Sequence, residues 1–391
     1  MQAGVVGEPV PAEADVAVLG GGLGGLAVAG LLALEGARVV VLEASDSIAH
    51  GWSGRHHGVA GLGLADHPIR LVRALGDTVA RELMEWTAES LAMARERNLI
   101  WRHGALTAAL GDVERDEIGP SVALLEKWGR TVEPLDASAV SARLGSDRFG
   151  PGWWDPLAGV IDPPHALGVV AQAAQAAGAT VCLGARTRLT RDGHLETEVV
   201  GEQDGVGFVL RADVVVHCAG PAAAVLDPFF GDKVYPVRFQ MQHLQSRHGG
   251  DLVLPALSAQ LSYIQGAPRP DGTYVLGGCR WATPHLEVGE ADPTALSEAV
   301  DARLSQVREG ALSDYLGEVD VIERSAGIMT FTCDGLPIVG PLPGRVQHIS
   351  CLGFNGRPWS HALRAAQAVR DGLMDGRSHG MPAVLSPQRF V

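Results

Sequence analysis

Two nearly unbroken apolar stretches open the chain, 15–19 (DVAVL) and 38–42 (RVVVL); between them lie a cluster of glycines at 20–25 and an Ala/Leu/Val-rich segment at 26–35 closed by Gly36. Apolar runs without polar alternation belong to strands buried on both faces, so the pattern predicts strand, tight turn, helix and a second, parallel strand. From about 67 to 98, Arg and Glu interleave with Leu, Ala and Val at helical spacing, which predicts a helix-rich stretch. A helix over 164–177, a strand over 180–183, a polar hairpin around Gly193 and Gly205, and a strand over 212–218 (ADVVVHC) predict a return to the parallel sheet. Between 235 and 281 the pattern becomes alternating, β-branched and turn-punctuated (VRFQMQHL, TYVLGG), as in an antiparallel sheet, followed by a helix over about 293–310. A strand at 347–351, a glycine-rich turn at 353–356 and a helix over 360–373 close the chain.

Composition narrows the classes. With 391 residues, 46% of them hydrophobic, the chain can bury a large core and suits two closely associated domains. A formal charge of −14 and the lack of any Lys/Arg cluster argue against a phosphate-backbone partner, so no nucleic acid is expected. The five cysteines, Cys182, Cys218, Cys279, Cys333 and Cys351, are scattered and include no CxxC pair, which points to a reducing compartment and a cytoplasmic protein without a metal site. The apolar run from 16 to 34 is interrupted by six glycines and follows fourteen residues without a basic side chain, so neither a signal peptide nor a membrane span is expected.

The first chemistry lies in the glycine cluster. Gly20, Gly22 and Gly25, with Leu23 and Gly24 among them, satisfy GxGxxG directly after a strand and at the start of a helix. The first glycine permits the turn, the second lets backbone N–H groups approach a pyrophosphate, and the third allows close helix–strand packing. Glu43, followed by Ala44, ends the second strand at the distance where an acid accepts ribose hydroxyls. A carboxylate there disfavours a 2′-phosphate and leaves FAD and NAD both open.

Several distal segments separate these two. Residues 51–58 (GWSGRHHG), 158–163 (AGVIDP), 212–220 (ADVVVHCAG), 326–340 (AGIMT with DGLPIVG), 353–357 (GFNGR) and 386–390 (SPQRF) occur in the order and spacing of the D-amino acid oxidase and glycine oxidase family, which the chain resembles over nearly its full length. The resemblance implies FAD, in an α/β fold whose Rossmann-type FAD-binding domain (1–85, 150–230 and 320–391) is interleaved with an α+β substrate domain (86–149 and 231–319) containing a mainly antiparallel sheet. It also implies that Ser53, Gly54, Arg55, His56 and His57 lie against the flavin diphosphate and ring, Thr187 beside the adenine, and Ala219 and Gly220 close to the cofactor. Gly327, Met329, Asn355, Gly356, Arg357 and Pro358 are implied at the flavin end.

The family's reaction is also implied: hydride transfer from a substrate C–H to flavin N5, giving an imine that hydrolyses, so that positioning outweighs acid–base chemistry. The expected substrate is a small amine, an N-substituted glycine or an amino acid. Tyr263 occupies the position of a tyrosine that hydrogen-bonds substrate in glycine oxidases, although a half-buried strand tyrosine is the alternative. Where amino acid oxidases grip the α-carboxylate with an arginine, five residues before the DG motif, this chain has Met329, so a bidentate clamp is missing there. Arg357, in a neighbouring loop, either supplies an anion contact or faces the surface or a flavin carbonyl. His56 and His57 replace the usual Asn-Gly and either bond the diphosphate and backbone, act as a base, or attach covalently to the flavin; His57, Tyr263 and Arg357 are the candidates to touch substrate.

Gly327 stands where the sarcosine oxidase branch carries its flavin-linking cysteine, so that linkage is not expected. Neither lysine, Lys127 or Lys233, falls on the segment that promotes oxygen reactivity in that branch, which leaves O2 or another electron acceptor open. Trp52, Trp153, Trp154, Trp281 and Trp359 are many for a protein with 5% aromatic residues and either wall a pocket or pack in the core. A dehydrogenase of a 2-hydroxy acid or biosynthetic intermediate, and a non-catalytic FAD-binding subunit of a larger oxidase, remain as other readings, because the fold hosts all three. The oligomeric state is left open.

Overall fold

A computed structural model describes residues 7–189, 198–252 and 254–391. The chain forms two compact units: Met1–Arg55, Pro163–Pro236 and Met329–Val391 make the first, and His56–Asp162 and Val237–Ile328 the second.

The first unit is built on parallel strands. Glu13–Leu19 lies between Val39–Leu42 and Val206–His217, Thr180–Cys182 extends the sheet beyond Val39–Leu42, and Arg345–Leu352 extends it on the other side, all parallel. Ile338–Leu342 closes that edge antiparallel. The first strand in sequence is central and the chain winds outward to both sides, the order of a doubly wound nucleotide-binding sheet. The helix Leu23–Leu34 is buried on nearly all sides because Pro163–Ala176 and Pro358–Asp375 both pack against it. A β-carbon at Gly30 would meet Ala174 Cα at 3.3 Å, so the small residue sets how closely two of these helices approach.

The polar hairpin expected at 193–205 is formed at its described end: Asp204 and Gly205, both with positive φ, turn Glu198–Gln203 into Val206–His217. Asp-Gly suits this two-residue turn. Gly193 lies outside the described residues.

The second unit carries a nine-stranded sheet. Val234–Ser246, Tyr274–Gly278, Ile264–Pro268 and Ala256–Ala259 are successive antiparallel neighbours, and Ala256–Ala259 then runs parallel to Ile100–Ala108. Residues 56–85 and 150–162, expected in the first domain, lie in this unit because Val59–Ala60 pairs with Gly152–Ile161, which pairs in turn with Ile100–Ala108. The helical stretch 67–98 is two helices, Pro68–Leu75 and Asp77–Glu96, divided at Gly76, whose φ of 83° no helix accommodates. The strands Ile100–Ala108 and Gly152–Ile161 had no clear period in sequence, since glycines and tryptophans interrupt both. Gly104 (φ 85°) sits where their register shifts, and a β-carbon there would lie 1.8 Å from the Trp154 ring. Among the described residues no helix is long and apolar enough to cross a membrane.

Candidate active site

In the first unit the glycine turn is made by close approach rather than by side chains. Gly20 has φ 105°, and a β-carbon on it would lie 2.6 Å from the Cys218 carbonyl oxygen; one on Gly25 would lie 2.0 Å from the Gly20 carbonyl oxygen. Gly22 is the N-cap of Leu23–Leu34 and provides no side-chain cap, and no acidic residue occupies the first turn. The amide of Leu23 donates to Ser53 Oγ at 3.1 Å, which brings Ser53 to the helix start. Such a terminus, with its partial positive charge and amides facing outward, accommodates a diphosphate. Glu43 is fixed by two backbone donors, Gly21 N to Oε2 at 2.8 Å and Ser45 N to Oε1 at 2.9 Å, so the carboxylate is oriented in advance. Ala44 beside it is exposed, and Thr187 pairs with Gly201 in the strand Arg186–Leu189. Gly54 is buried in the short helix Trp52–Arg55, with no room for a β-carbon against Ala49 (2.5 Å), and Arg55 is half-buried at its end.

The C-terminal loops of the same unit gather a second group. Gly220 (φ 59°) follows Ala219 near Thr330, and Asn355 (φ 47°) and Gly356 (φ 83°) precede the helix Pro358–Asp375, in which Pro358 is buried. The Asn355 side chain serves this loop: Oδ1 accepts from Thr332 N at 2.9 Å and Nδ2 donates to the Gly353 carbonyl at 2.7 Å. Trp52 Nε1 donates to the Gly356 carbonyl at 3.2 Å. Met329 is buried with its sulfur 2.8 Å from where a Gly356 β-carbon would stand, so it packs the loop from below and carries no charge. Arg357 is the N-cap residue of the helix. His361, one turn on, is held down at a pKa of about 3, first by burial and then by the Arg357 charge.

His56, His57 and Gly327 belong to the second unit. Both imidazoles are buried, with ring centroids 3.8 Å apart. His56 Nδ1 accepts from Gly58 N at 3.0 Å and His57 Nδ1 accepts from Val59 N at 3.1 Å. An amide can only donate, so Nδ1 is the bare nitrogen and a neutral ring carries its proton on Nε2. That tautomer makes Nε2 a hydrogen-bond donor, the opposite of what a base or a flavin-linking nucleophile needs. Arg269 fixes the same segment through Nη2 to the His56 carbonyl at 2.8 Å. Gly327 is buried in the strand Val319–Thr332.

Tyr263 stands on an unusual turn. Gln260, Leu261 and Ser262 have φ of 49°, 52° and 64°, three consecutive non-glycine residues in the left-handed region. Each such residue costs about 1–2 kcal/mol, so the turn persists only if it is held from outside. The buried carboxylate of Glu114 holds it: Gln260 N donates to Oε2 at 3.0 Å, Leu261 N to Oε1 at 2.7 Å, and Leu110 N to Oε2 at 2.9 Å. His67 lies between Glu114 (3.5 Å) and Glu117 (3.6 Å), and burial lowers its pKa despite the two carboxylates. Across the turn, Arg280 Nη2 donates to the Tyr263 hydroxyl at 3.2 Å and Trp281 meets the ring edge-on at 5.7 Å. Glu114, His67 and Arg280 escaped the sequence reading. A dense charged helix start (DVERDE) does not reveal which acid turns inward, and no motif surrounds Arg280.

Three potential metal ligands meet in the first unit, His217, Asp227 and His348, all buried. His217 Nε2 and His348 Nδ1 are 3.0 Å apart, and Arg345 Nη2 reaches both Asp227 oxygens at 2.8 and 2.7 Å. Burial drives the His217 pKa down to about 3 although the Asp227 carboxylate pulls it up, with His348 and Arg345 adding to the lowering, so the imidazole is neutral. Arg345 already balances the Asp227 charge, while His217 Nδ1 is buried without a hydrogen-bond partner.

A parallel sheet wound about a glycine turn, with a ribose-type acid and a separate unit dominated by antiparallel strands, defines a dinucleotide-dependent oxidoreductase. Residues 15–371 match the family described as FAD dependent oxidoreductase, DAO, and the chain belongs to it. It is an FAD enzyme. It is 26% identical over 382 residues to the tRNA 5-methylaminomethyl-2-thiouridine biosynthesis bifunctional protein MnmC of Stutzerimonas stutzeri, covering 96% of this chain and 54% of that protein. It is 25% identical over 392 residues to the bifunctional protein ThiO/ThiG of Synechocystis, covering 96% and 54%. The chain thus spans about half the length of these curated relatives. Among solved structures it resembles glycine oxidase from Geobacillus kaustophilus, with a TM-score of 0.76 at 22% identity, covering 97% of this chain and 100% of that one.

Proposed function

We propose that this protein oxidises a small amine, an N-substituted glycine or an amino acid, with the first unit holding FAD and the second selecting substrate. The observation that carries the proposal is the presentation of Tyr263 on a left-handed turn pinned by buried Glu114, since backbone strain is kept where function requires it. Amine chemistry is also written into relatives' names, as methylaminomethyl and as glycine. The −14 charge favours a small molecule over a nucleic acid. Five free cysteines suit a reducing, cytoplasmic setting.

The first unit fits the cofactor, since the turn at Gly20 and Gly25 leaves no space for β-carbons and the helix start offers amides to an anion. Gly20, Gly22, Leu23, Gly24 and Gly25 would hold the diphosphate together with Ser53, Gly54 and Arg55, Glu43 and Ala44 the ribose, and Thr187 the adenine. Ala219, Gly220, Met329, Asn355, Gly356, Arg357 and Pro358 are assigned to the flavin end. Bound FAD supplies the two-electron acceptor for the substrate C–H bond. The protein's part is to bind and orient: Tyr263 hydrogen-bonds the substrate, and His56 and His57 act as Nε2–H donors rather than bases.

The test is turnover of a panel of amines, amino acids and 2-hydroxy acids with a dye acceptor and, separately, oxygen. Amines or amino acids should turn over, and Tyr263→Phe should raise KM about tenfold while kcat changes little. Turnover of hydroxy acids alone would transfer the assignment to a hydroxy-acid dehydrogenase, and no turnover at all to a non-catalytic subunit. After acid precipitation the yellow colour is expected to stay in solution, since Nδ1 of each histidine already accepts a backbone N–H.

A further inference from the structure

We infer that His217, Asp227 and His348 form a binding site for a divalent cation of the zinc type in the first unit, built from residues that are assigned neither to FAD nor to substrate. A cation held there ties three segments of the unit together, and the inference does not depend on which substrate is oxidised.

The sheet brings the two histidines together. His217 ends the strand Val206–His217, and His348 lies in the adjacent parallel strand Arg345–Leu352. Asp227 follows the short helix Ala223–Leu226; its Oδ1 accepts from Phe229 N at 2.9 Å, and its Oδ2 is the oxygen nearer the two imidazoles. His217 Nε2, His348 Nδ1 and Asp227 Oδ2 form a triangle with sides of 3.0, 3.6 and 4.0 Å. The point equidistant from its corners lies about 2.1 Å from each, the length of a zinc–imidazole or zinc–carboxylate bond. Two imidazoles and a carboxylate suit Zn2+ better than Mg2+ or Ca2+, which take oxygen ligands, and a fourth, tetrahedral position is left to water.

Hydrogen bonding within the protein does not complete this cluster. The contact between the rings uses one nitrogen of His217, and the other, Nδ1, is buried without a partner in a ring that has no exposure. A polar atom left over in a core in this way is where a bound ion belongs. Two facing ring nitrogens can share only one proton, whereas a cation between them engages both lone pairs and the Asp227 charge together. Arg345 is the cation that now stands at this carboxylate, with Nη2 2.8 and 2.7 Å from its two oxygens. Its side chain is 26% exposed, against 1% for Asp227, so the guanidinium can turn to water and yield Oδ2 to a metal ion without opening the core. The cysteine spacing that predicts no metal site says nothing of this one, whose two histidines lie 131 positions apart.

The test uses the FAD-loaded full chain, stripped with a chelator, supplied with zinc chloride and passed through gel filtration before metal analysis; calorimetric titration with zinc chloride gives the affinity. Wild type should retain about one zinc per chain. His348→Gln and Asp227→Asn should each weaken binding about 100-fold, because a ligand is lost. Arg345→Met should strengthen it about tenfold, because the charge that competes for Asp227 is gone. Cys333→Ser, which removes an exposed thiol, should leave zinc binding unchanged. Bound flavin absorbance reports whether each variant is folded. No zinc retained by wild type, or zinc retained equally by wild type, His348→Gln and Asp227→Asn, would overturn the inference. If the two ligand variants do not fold, Arg345→Met decides: tighter binding than wild type supports the site, and unchanged or weaker binding refutes it.

Discussion

The glycine turn of the first unit and the Tyr263 turn of the second hold their backbones in unfavourable conformations by opposite means. In the first unit, positive φ falls on glycine at Gly20, Gly220 and Gly356, beside the non-glycine Asn355, and the space a β-carbon would need at those glycines is given to neighbouring backbone or side chains. In the second, positive φ falls on Gln260, Leu261, Ser262 and Cys279, and a buried carboxylate with cross-strand hydrogen bonds holds them there. A glycine solution is local and leaves a mark in the sequence. A carboxylate solution joins residues 146 and 147 positions apart and leaves none. The cofactor end of a flavoenzyme has a constant ligand to accommodate, whereas the turn that presents Tyr263, for which a substrate role is proposed, depends on a long-range clamp that can be altered independently.

The largest effect should come from filling a glycine position. Gly25→Ala places a β-carbon 2.0 Å from the Gly20 carbonyl, which only movement of helix or strand can relieve. Expression should yield no folded flavoprotein, or one destabilised by more than about 4 kcal/mol, seen as loss of bound flavin absorbance and of the thermal transition. Next, Glu114→Gln replaces one accepting oxygen by an amide that faces N–H donors, and should cost about 2–3 kcal/mol in chemical denaturation. In contrast to Gly25→Ala, it should keep a full complement of FAD. Parallel loss of flavin in both variants would erase the distinction between the units.

Acid should weaken the protein through its buried imidazoles. His217 and His361 titrate near 3 when folded, against about 6.5 in an unfolded chain, and burial lowers His67 and His243 as well. A histidine whose folded pKa is depressed binds protons better unfolded, so its contribution is complete above pH 6.5 and is lost as pH falls toward 3. The loss is about 1.4 kcal/mol per pH unit for each fully buried ring. Stability measured from pH 7 to 5 should therefore decline, and His361→Gln should flatten the decline. The smallest effect expected is from Glu43→Gln, which keeps an oxygen for Gly21 N but loses the charge. Reconstitution of the apoprotein should show FAD binding about tenfold weaker, with folding weakened by about 1 kcal/mol because the new amide faces Ser45 N.

Much of the first unit was legible because its determinants are contiguous: apolar runs, a glycine turn, and an acid at the end of the next strand. The boundary at Arg55/His56 was not, because Val59–Ala60 is only two residues long and joins the second sheet through Gly152–Ile161, nearly a hundred residues away. The two histidines were visible as a departure from a family loop, but their roles depend on which nitrogen the amides of Gly58 and Val59 occupy. Tyr263 was visible by position, whereas Arg280 and Glu114 acquire meaning only from folding, which sets one on its ring and the other beneath its turn.

The most direct test of the account is anaerobic mixing of the purified, FAD-loaded chain with carboxylated secondary and primary amines, watching the visible flavin band. The account expects bleaching within the mixing experiment by at least one such amine, at a rate that saturates with its concentration. A flavin that stays oxidised with every amine, yet bleaches with a 2-hydroxy acid, would contradict it.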